Sequence, residues 1–172
     1  MLLVRIRVRS ALILSIDPGN SGALAFMTTR DLTLIDLYSM PLYDSQSTGH
    51  TRNFIDGSVI AQLVDAYRPA CVILERVASR PAQGVAGVFA FGRGVGVIEG
   101  VMQALEIPIN YVAPQVWKRY HGLIKQSKSK SLEMARQLYP EAELHLKKHE
   151  GRAEAILIGI WKVQKWRELY EG

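Results

Sequence analysis

LILSIDPGNSGALAFM, at residues 12–27, is the stretch on which the expected fold depends. Its aliphatic first part, 12–16, predicts a buried strand, and the Asp-Pro-Gly motif at 17–19 predicts the turn that ends it. Residues 22–27 and 32–38 predict two further strands, which form a meander with the first. Asp17 therefore follows a buried strand, where a carboxylate is costly unless it is paired or binds a cation.

The rest of the chain alternates predicted helices with single strands. A polar loop at 43–53 leads into a helix, and a strand at 71–74 is expected to lie parallel to the first strand. The helices are predicted at 54–67, 91–105, 114–120, 127–138 and 151–170, and the last strand at 109–112. This order predicts an α/β fold of RNase H-like type: a mixed sheet of about five strands, the first three antiparallel, with helices on both faces.

Length and composition exclude several classes of protein. The 172 residues, 48% hydrophobic, predict one domain over 1–172. The net charge of +5 suits a polyanionic partner. The single cysteine, Cys71, excludes an internal disulfide and predicts an intracellular, cytoplasmic protein. We expect no membrane span, because no run of about 18 uninterrupted apolar residues occurs.

The opening MLLVRIRVRS, residues 1–10, is a possible N-terminal extension with several open interpretations. It alternates arginine with aliphatic residues and has no continuous apolar centre, unlike a signal peptide. An extended first strand, an overlong start, an organelle transit peptide and a DNA-contacting arm all fit this pattern.

Four acidic residues stand where a metal site can form. Asp17 and Glu75 both follow buried strands, at the sheet edge where α/β proteins bind ligands. Glu150 and Glu154 stand four residues apart on one face at the start of the closing helix. Converging carboxylates with no obvious lysine partner favour Mg²⁺, which binds carboxylates, waters and phosphate oxygens. Two ions about 4 Å apart stabilise both the attacking and leaving oxygens in phosphodiester cleavage.

A purely structural interpretation of these acids is also open. The helix dipole favours acidic residues at a helix N-terminus, which accounts for Glu150 and Glu154 without a metal. Glu75 can pair with Arg76 or Arg80. Spacing alone does not decide between the two interpretations.

Five segments occur in one order along residues 12–161: SIDPGNSGALAF, VILERV, FAFGRGVGVIEGVMQALEIPI, VAPQVWKRYHGL and HEGRAEAILIGIW. Together they resemble the signature segments of RuvC-like Holliday junction resolvases of the phage-type branch. The resemblance implies a crossover junction endodeoxyribonuclease. Such an enzyme is a homodimer that resolves four-way or other branched DNA by paired symmetric nicks and leaves 5′-phosphate ends.

The resemblance also implies the site residues. By position, Asp17, Glu75 and Glu154 match the metal-binding acids, which would hold two Mg²⁺ ions per active site, with Mn²⁺ as a substitute. Glu150 stands where this branch commonly has aspartate, and some members use a histidine nearby, so Glu150 or His149 is the implied fourth ligand. Displacing a metal by about an ångström can cost roughly 100-fold in rate.

Two other functions are therefore open. One is a catalytically impaired protein that binds branched DNA without cutting it, motivated by the longer side chain of Glu150. The other is an RNase H-like nuclease acting on other branched or hybrid nucleic acids, since a fold does not determine a substrate.

Basic residues lie around the predicted acids, and we expect them to neutralise DNA phosphates. Phe89, Phe91 and Arg93 follow the Glu75 strand on a glycine-containing segment, where an aromatic ring can insert at an opened junction. Core packing is the other role open to the two phenylalanines, and is expected for at least one of them. The candidates for DNA binding are Arg76, Arg80, Phe91, Arg93, Lys118, Lys125, Lys128, Lys130, Lys147, Lys148 and Arg152.

Small residues recur every four positions at Gly92, Gly96, Gly100 and Ala104. This ridge lets another helix come close, and in a RuvC-like protein the helix would help form the dimer. Gly94-Val95-Gly96 lacks the preceding strand and the ribose-binding acid of a dinucleotide fingerprint, so we expect no nucleotide cofactor.

Overall fold

The structure is a computed structural model that describes residues 11–45, 52–76 and 84–170. The predictions made for residues 1–10 and for Arg80 lie outside the described residues. The strands are β1 (Leu12–Asp17), β2 (Ala23–Thr28), β3 (Leu34–Ser39), β4 (Leu42–Ser45), β5 (Arg52–Ile55), β6 (Cys71–Glu75) and β7 (Ile109–Val112). The helices are α1 (Gly57–Tyr67), α2 (Val85–Ala104), α3 (Pro114–Tyr120), α4 (Lys128–Leu138) and α5 (Glu150–Tyr170), the last preceded by a 3-10 turn at Lys147–His149.

β1 lies at the centre of a five-stranded mixed sheet with the order β3-β2-β1-β6-β7. β1, β2 and β3 are antiparallel neighbours, which confirms the predicted meander. β6 is parallel to β1, with Leu74 opposite Ile16, and β7 is parallel to β6. Because β1 and β6 run side by side in one direction, Asp17 and Glu75 end at the same edge of the sheet.

Helices cover both faces of this sheet, as predicted. Successive side chains of a strand point to opposite faces. Ile13 accordingly packs in an apolar cluster with Leu157 of α5, whereas Leu14 packs with Ile60 of α1 and Ile98 of α2. The burial of apolar surface in these two layers is the main force that holds β1 and the acids beyond it in place.

Close packing locks α5 onto β1 and β2. The hydroxyl of Ser15 donates a hydrogen bond to the Ala155 carbonyl at 2.7 Å. At Gly159 a Cβ would lie 2.5 Å from Met27 Sδ and 2.7 Å from Ser15 Oγ, so a larger residue would force these buried side chains or the helix to move. This contact sets the position of α5 along β1, and with it the position of Glu154 relative to Asp17.

The polar stretch predicted as a loop at 43–53 is in part a hairpin. β4 pairs antiparallel with β5, and the rings of Tyr43 and Phe54 lie side by side with centroids 5.8 Å apart. Arg93 stacks on Phe54 at 4.1 Å, so a contact with distant α2 stabilises the hairpin. The predicted helix 54–67 consequently begins later, at Gly57, after Asp56 caps it by accepting from the amides of Ser58 and Val59.

Helix α2 begins at Val85, six residues earlier than predicted. Phe91 lies on this helix as the predicted range 91–105 has it, and Phe89, which precedes that range, lies on the helix as well. By length and composition alone α2 also meets the criteria for a membrane span, with a mean hydropathy of 1.5, although it carries Arg93 and Glu99.

A candidate active site

A cavity of about 600 Å³ opens at the sheet edge where β1 and β6 end. Three carboxylates line it, from Asp17, Glu75 and Glu154, with exposed fractions of 8%, 9% and 3%. The rest of its wall consists of Pro18, Gly19, Asn20, Ser21, Arg76, Phe91, Ala113, Pro114, Gln115, Lys118 and Lys128. The structure thus brings together three of the four acids singled out in the sequence.

Backbone packing at the start of α5 places Glu154 at this cavity. Gly151, in the first turn of α5, lies against the loop between β1 and β2, where a Cβ would be 2.1 Å from the Ser21 carbonyl oxygen. Glu154 follows less than one turn later and lies between the buried alanines Ala153 and Ala155. Glycine at 151 therefore brings this acid up to the loop that follows Asp17.

Burial and mutual repulsion raise the pKa of two of these acids. Desolvation raises the pKa of Asp17 well above its usual range, and the nearby charges of Glu75 and Glu154 raise it further. Desolvation also raises the pKa of Glu75, while a hydrogen bond from Trp117 opposes that rise. A site that destabilises its own charges in this way is suited to bind a cation.

Two lysines neutralise Glu154, which corrects the expectation that the acids lack lysine partners. Lys118 Nζ lies 3.1 Å from Glu154 Oε1, and Lys128 Nζ lies 3.9 Å from Oε2. The Lys118 contact lacks hydrogen-bond geometry, so the buried Oε1 has no hydrogen-bond donor among the described residues. The sequence did not reveal these pairs because Lys118 and Lys128 are distant from Glu154 along the chain.

Trp117 is a contact of the site that the sequence analysis missed. Its indole Nε1–H donates to Glu75 Oε1 at 2.8 Å, and its ring is fully buried. The described ion pairs include none between Glu75 and Arg76. The sequence offered one indication of this contact, because Trp117 stands beside the candidate residue Lys118 on a predicted short helix.

The donor set suits a hard divalent cation. Magnesium binds carboxylate oxygens together with waters and phosphate. The cavity offers three carboxylates, and one of their oxygens has no hydrogen-bond donor within the part of the chain that the structure describes. Across the described residues, no three His, Cys, Asp or Glu side chains lie close enough to form a ready-made metal cluster.

Glu150 and His149 lie outside the residues that line the cavity. Glu150 is half-buried and begins α5, one turn before Glu154. His149 is buried, and its Nδ1 accepts from the Leu146 amide at 3.4 Å. The assignment of either residue as a fourth ligand stays a prediction.

Only part of the predicted DNA-binding set lies at this cavity, namely Arg76, Phe91, Lys118 and Lys128. Arg93 is stacked on Phe54. Lys130 pairs with Glu133 at 2.7 Å, and Arg152 pairs with Glu143 at 2.9 Å. Lys125, Lys147 and Lys148 are exposed beyond the cavity.

Phe91 covers one side of the cavity. A Cβ on Gly19 would lie 3.3 Å from the Phe91 ring, and Gly19 has φ +133°, a conformation that side chains rarely adopt. The Asp-Pro-Gly turn and α2 therefore meet at the wall of the cavity that Asp17 also lines. Phe89, two residues earlier, is 72% exposed.

A second cavity of similar volume lies between β3 and residues 138–143. Its described lining residues include Asp36, Glu141 and Glu143 and no lysine or arginine. Because DNA phosphates are repelled by such a surface, the cavity at Asp17 is the candidate for nucleic-acid chemistry.

The sheet order, the helices on both faces and the acids at the ends of β1 and β6 define an RNase H-like fold of the RuvC resolvase type. Thermus thermophilus RuvC in complex with a Holliday junction substrate has a similar structure, with a TM-score of 0.60 and 14% identity over 92% of this chain and 96% of that chain. A second structure of that RuvC has a TM-score of 0.56 and 11% identity, over 90% of this chain and 96% of that chain. The yeast mitochondrial Holliday junction resolvase Ydc2 has a TM-score of 0.54 and 15% identity, over 94% of this chain and 83% of that chain.

No protein-family model matches the chain, and no curated protein matches it. The likeness to the solved structures confirms the fold that the five sequence segments implied. At 11–15% identity it concerns the fold alone.

Proposed function

We propose that this protein is a divalent-metal-dependent endonuclease that resolves four-way DNA junctions by paired symmetric nicks. The observation that carries the proposal is the convergence of Asp17, Glu75 and Glu154 in one cavity of a RuvC-type fold. The similar Thermus thermophilus protein was solved with a Holliday junction substrate, which supports branched DNA as the substrate class.

The three acids of the cavity would hold Mg²⁺, for which Mn²⁺ can substitute, with Glu150 or His149 as a fourth ligand. Two such ions, when bound, supply an activated water and stabilise the leaving oxygen of a phosphodiester. Asp17 and Glu75 are presented on neighbouring strands and Glu154 on a helix locked against both the sheet and the β1–β2 loop. This rigid support keeps the acids in place when the substrate enters.

The basic side chains of the cavity would bind and orient the phosphate. Lys118 and Lys128 already balance Glu154, and the exposed Arg76 follows Glu75 directly. A phosphodiester entering the cavity meets these cations as well as the acids, so its charge is partly neutralised. Lys125, Lys147 and Lys148 would contact phosphates further along the duplex arms.

Phe91 and Arg93 would face the opened centre of the junction. Phe91 lies over Gly19 at the cavity wall, and Arg93 is stacked against the hairpin. The exposed Phe89 lies half a turn from Phe91 on α2. An aromatic ring next to the scissile strand can stack on a base that has lost its neighbour.

The test incubates purified protein with a labelled four-way junction and with a linear duplex of the same sequence, each with and without Mg²⁺. We expect paired nicks in the junction alone, only with metal, resolved on a denaturing gel. Asp17→Asn, Glu75→Gln and Glu154→Gln should each lower nicking at least about 100-fold, since each removes a metal-binding charge, while junction binding persists in Ca²⁺.

The outcomes separate this proposal from the alternatives. Junction binding without nicks in Mg²⁺ or Mn²⁺ would show a catalytically impaired binding protein. Equal cutting of the linear duplex would show a nuclease of the same fold with a different substrate. Full activity in any of the three variants would remove that residue from the proposed set of ligands.

A further inference from the structure

We propose that Trp117 is a positioning residue, which orients the Glu75 carboxylate for the divalent cation by donating its indole N–H to Oε1. This inference rests on the proposed function, because it concerns the metal site of that nuclease. Trp117 thus adds to the site a neutral, buried side chain, in addition to the acids and lysines already described.

The contact itself is short and well enclosed. Trp117 Nε1 lies 2.8 Å from Glu75 Oε1, the indole is fully buried, and Glu75 is 9% exposed. An indole is a donor only, so the bond always presents hydrogen to the carboxylate and satisfies one of its oxygens. Of the described hydrogen bonds, this is the one that reaches the Glu75 side chain.

The helix that carries Trp117 is held from several sides. α3 begins at Pro114, a residue preorganised for the first turn of a helix. At its C-terminal end, the His121 ring lies 2.8 Å from the Leu157 carbonyl of α5 through Nε2 and packs edge-on against Trp117 at 6.4 Å. The position of the indole is therefore set by α5 as well as by the core.

Two consecutive residues of α3 contact two different acids of the site. Trp117 bonds Glu75 at the end of β6, and Lys118 lies 3.1 Å from Glu154 on α5. A helix held in this way fixes the spacing between the two carboxylates. Metal ligands generally need such second contacts, and losing one costs about 10–100-fold in metal affinity.

The competing interpretation is that Trp117 only fills the core, where it packs among the apolar residues of the α5 face. Trp117→Phe separates the two, because phenylalanine keeps an aromatic ring in place and removes the donor. Trp161→Phe is a matched control: the buried Trp161 indole N–H has no hydrogen-bond partner among the described residues.

The experiment measures binding of Mg²⁺ and Mn²⁺ to the full chain by calorimetry, without DNA. We expect Trp117→Phe to weaken binding about 10-fold or more and Trp161→Phe to leave it unchanged. In wild-type protein with ¹⁵N-labelled tryptophan, the Trp117 indole resonance should shift on addition of Mg²⁺. This second readout does not require a folded variant.

The results distinguish this inference from the proposed function. Two results would overturn the positioning role and leave the proposed nuclease intact. One is a folded Trp117→Phe variant that binds Mg²⁺ as wild type does. The other is a Trp117 indole resonance that does not move while the wild-type protein binds the metal and nicks junctions. If wild-type protein binds neither metal and nicks no junction, both are overturned. If Trp161→Phe weakens binding as much, the effect is general destabilisation, which also overturns the role.

Discussion

The ionised side chain of Asp17 destabilises the folded protein. It lies buried at the end of β1 beside two other acids, and its pKa is raised by desolvation first and then by Glu75 and Glu154. An acid whose pKa is higher in the folded than in the unfolded state destabilises the fold when both states are ionised. The structure retains such a carboxylate at the place where the proposed cation would offset its cost.

Asp17→Asn is therefore expected to raise the melting temperature at pH 8 in the absence of divalent metal. The penalty of the ionised aspartate is present in full above its folded-state pKa, decreases as the pH falls through that value, and is absent below the unfolded value near 3.8. The difference in melting temperature between the variant and the wild-type protein should therefore decrease from pH 8 toward pH 5. Thermal melts of both proteins between pH 5 and pH 8 test this prediction. At this chain length, each kcal/mol of stability changes the melting temperature by about 2–4 °C.

Mg²⁺ provides the control for this experiment. It should stabilise wild-type protein and have less effect on the variant, since a ligand raises stability only through the folded state that binds it. A variant that melts below wild type at pH 8 would show that Asp17 is stabilised by its surroundings and not strained by them.

The acids of the site were predictable from sequence because each stands at a position marked by local pattern. Asp17 and Glu75 follow aliphatic runs, and Glu154 lies in a segment with a family resemblance. The partners of these acids were not predictable in the same way. Trp117 reaches Glu75, and Lys118 reaches Glu154, only through the docking of α3 against α5, which is a tertiary contact.

At the scale of elements, regular hydrophobic periodicity predicted the strands and helices of the sheet layers. It failed at the β4–β5 hairpin, whose sequence is polar and rich in turn-forming residues. Phe54 and Tyr43 hold this hairpin together with Arg93 from α2. A contact between segments some forty residues apart leaves no periodic signal, so the stretch was predicted as a loop.

Gly151→Ala is expected to lower stability and nicking together. An added Cβ would meet the Ser21 carbonyl oxygen at 2.1 Å, and backbone atoms there cannot rotate away as a flexible side chain can. α5 must then shift from the β1–β2 loop and carry Glu154 with it. We expect a cost of about 1–3 kcal/mol, measured by denaturant unfolding, and a reduced nicking rate on the four-way junction.

Gly87→Ala is the matched control for that change. Gly87 also lies in the first turn of a helix, and a Cβ there would have no atom of the described residues within 4 Å. Replacing glycine by alanine in a helix gains up to about 1 kcal/mol when no atom is in the way. Equal effects of the two substitutions would mean that the contact at Gly151 does not set the position of α5.

At the scale of the whole molecule, α2 exposes an unusual amount of apolar surface. Val85 is 86% exposed, and Gly92, Gly96 and Gly100 are exposed, with no atom of the described residues within 4 Å of the place where a Cβ would lie. The proposed paired nicking of two matching strands would need two active sites related by a two-fold axis. We propose that the glycine ridge of α2, formed by Gly92, Gly96, Gly100 and Ala104, packs against its copy in a homodimer.

Replacing Gly96 and Gly100 together by leucine tests this dimer. The ridge allows two helices to approach closely, and two bulky side chains would keep them apart, so sedimentation equilibrium should change from dimer toward monomer. The monomer retains both the cavity and its acids, and should therefore still nick a junction while the two cuts lose their pairing. Gly87→Leu, on the same helix but outside the four-residue repeat, should leave the dimer intact. A wild-type protein that is monomeric at tens of micromolar, or a double variant that stays dimeric, would place the interface elsewhere.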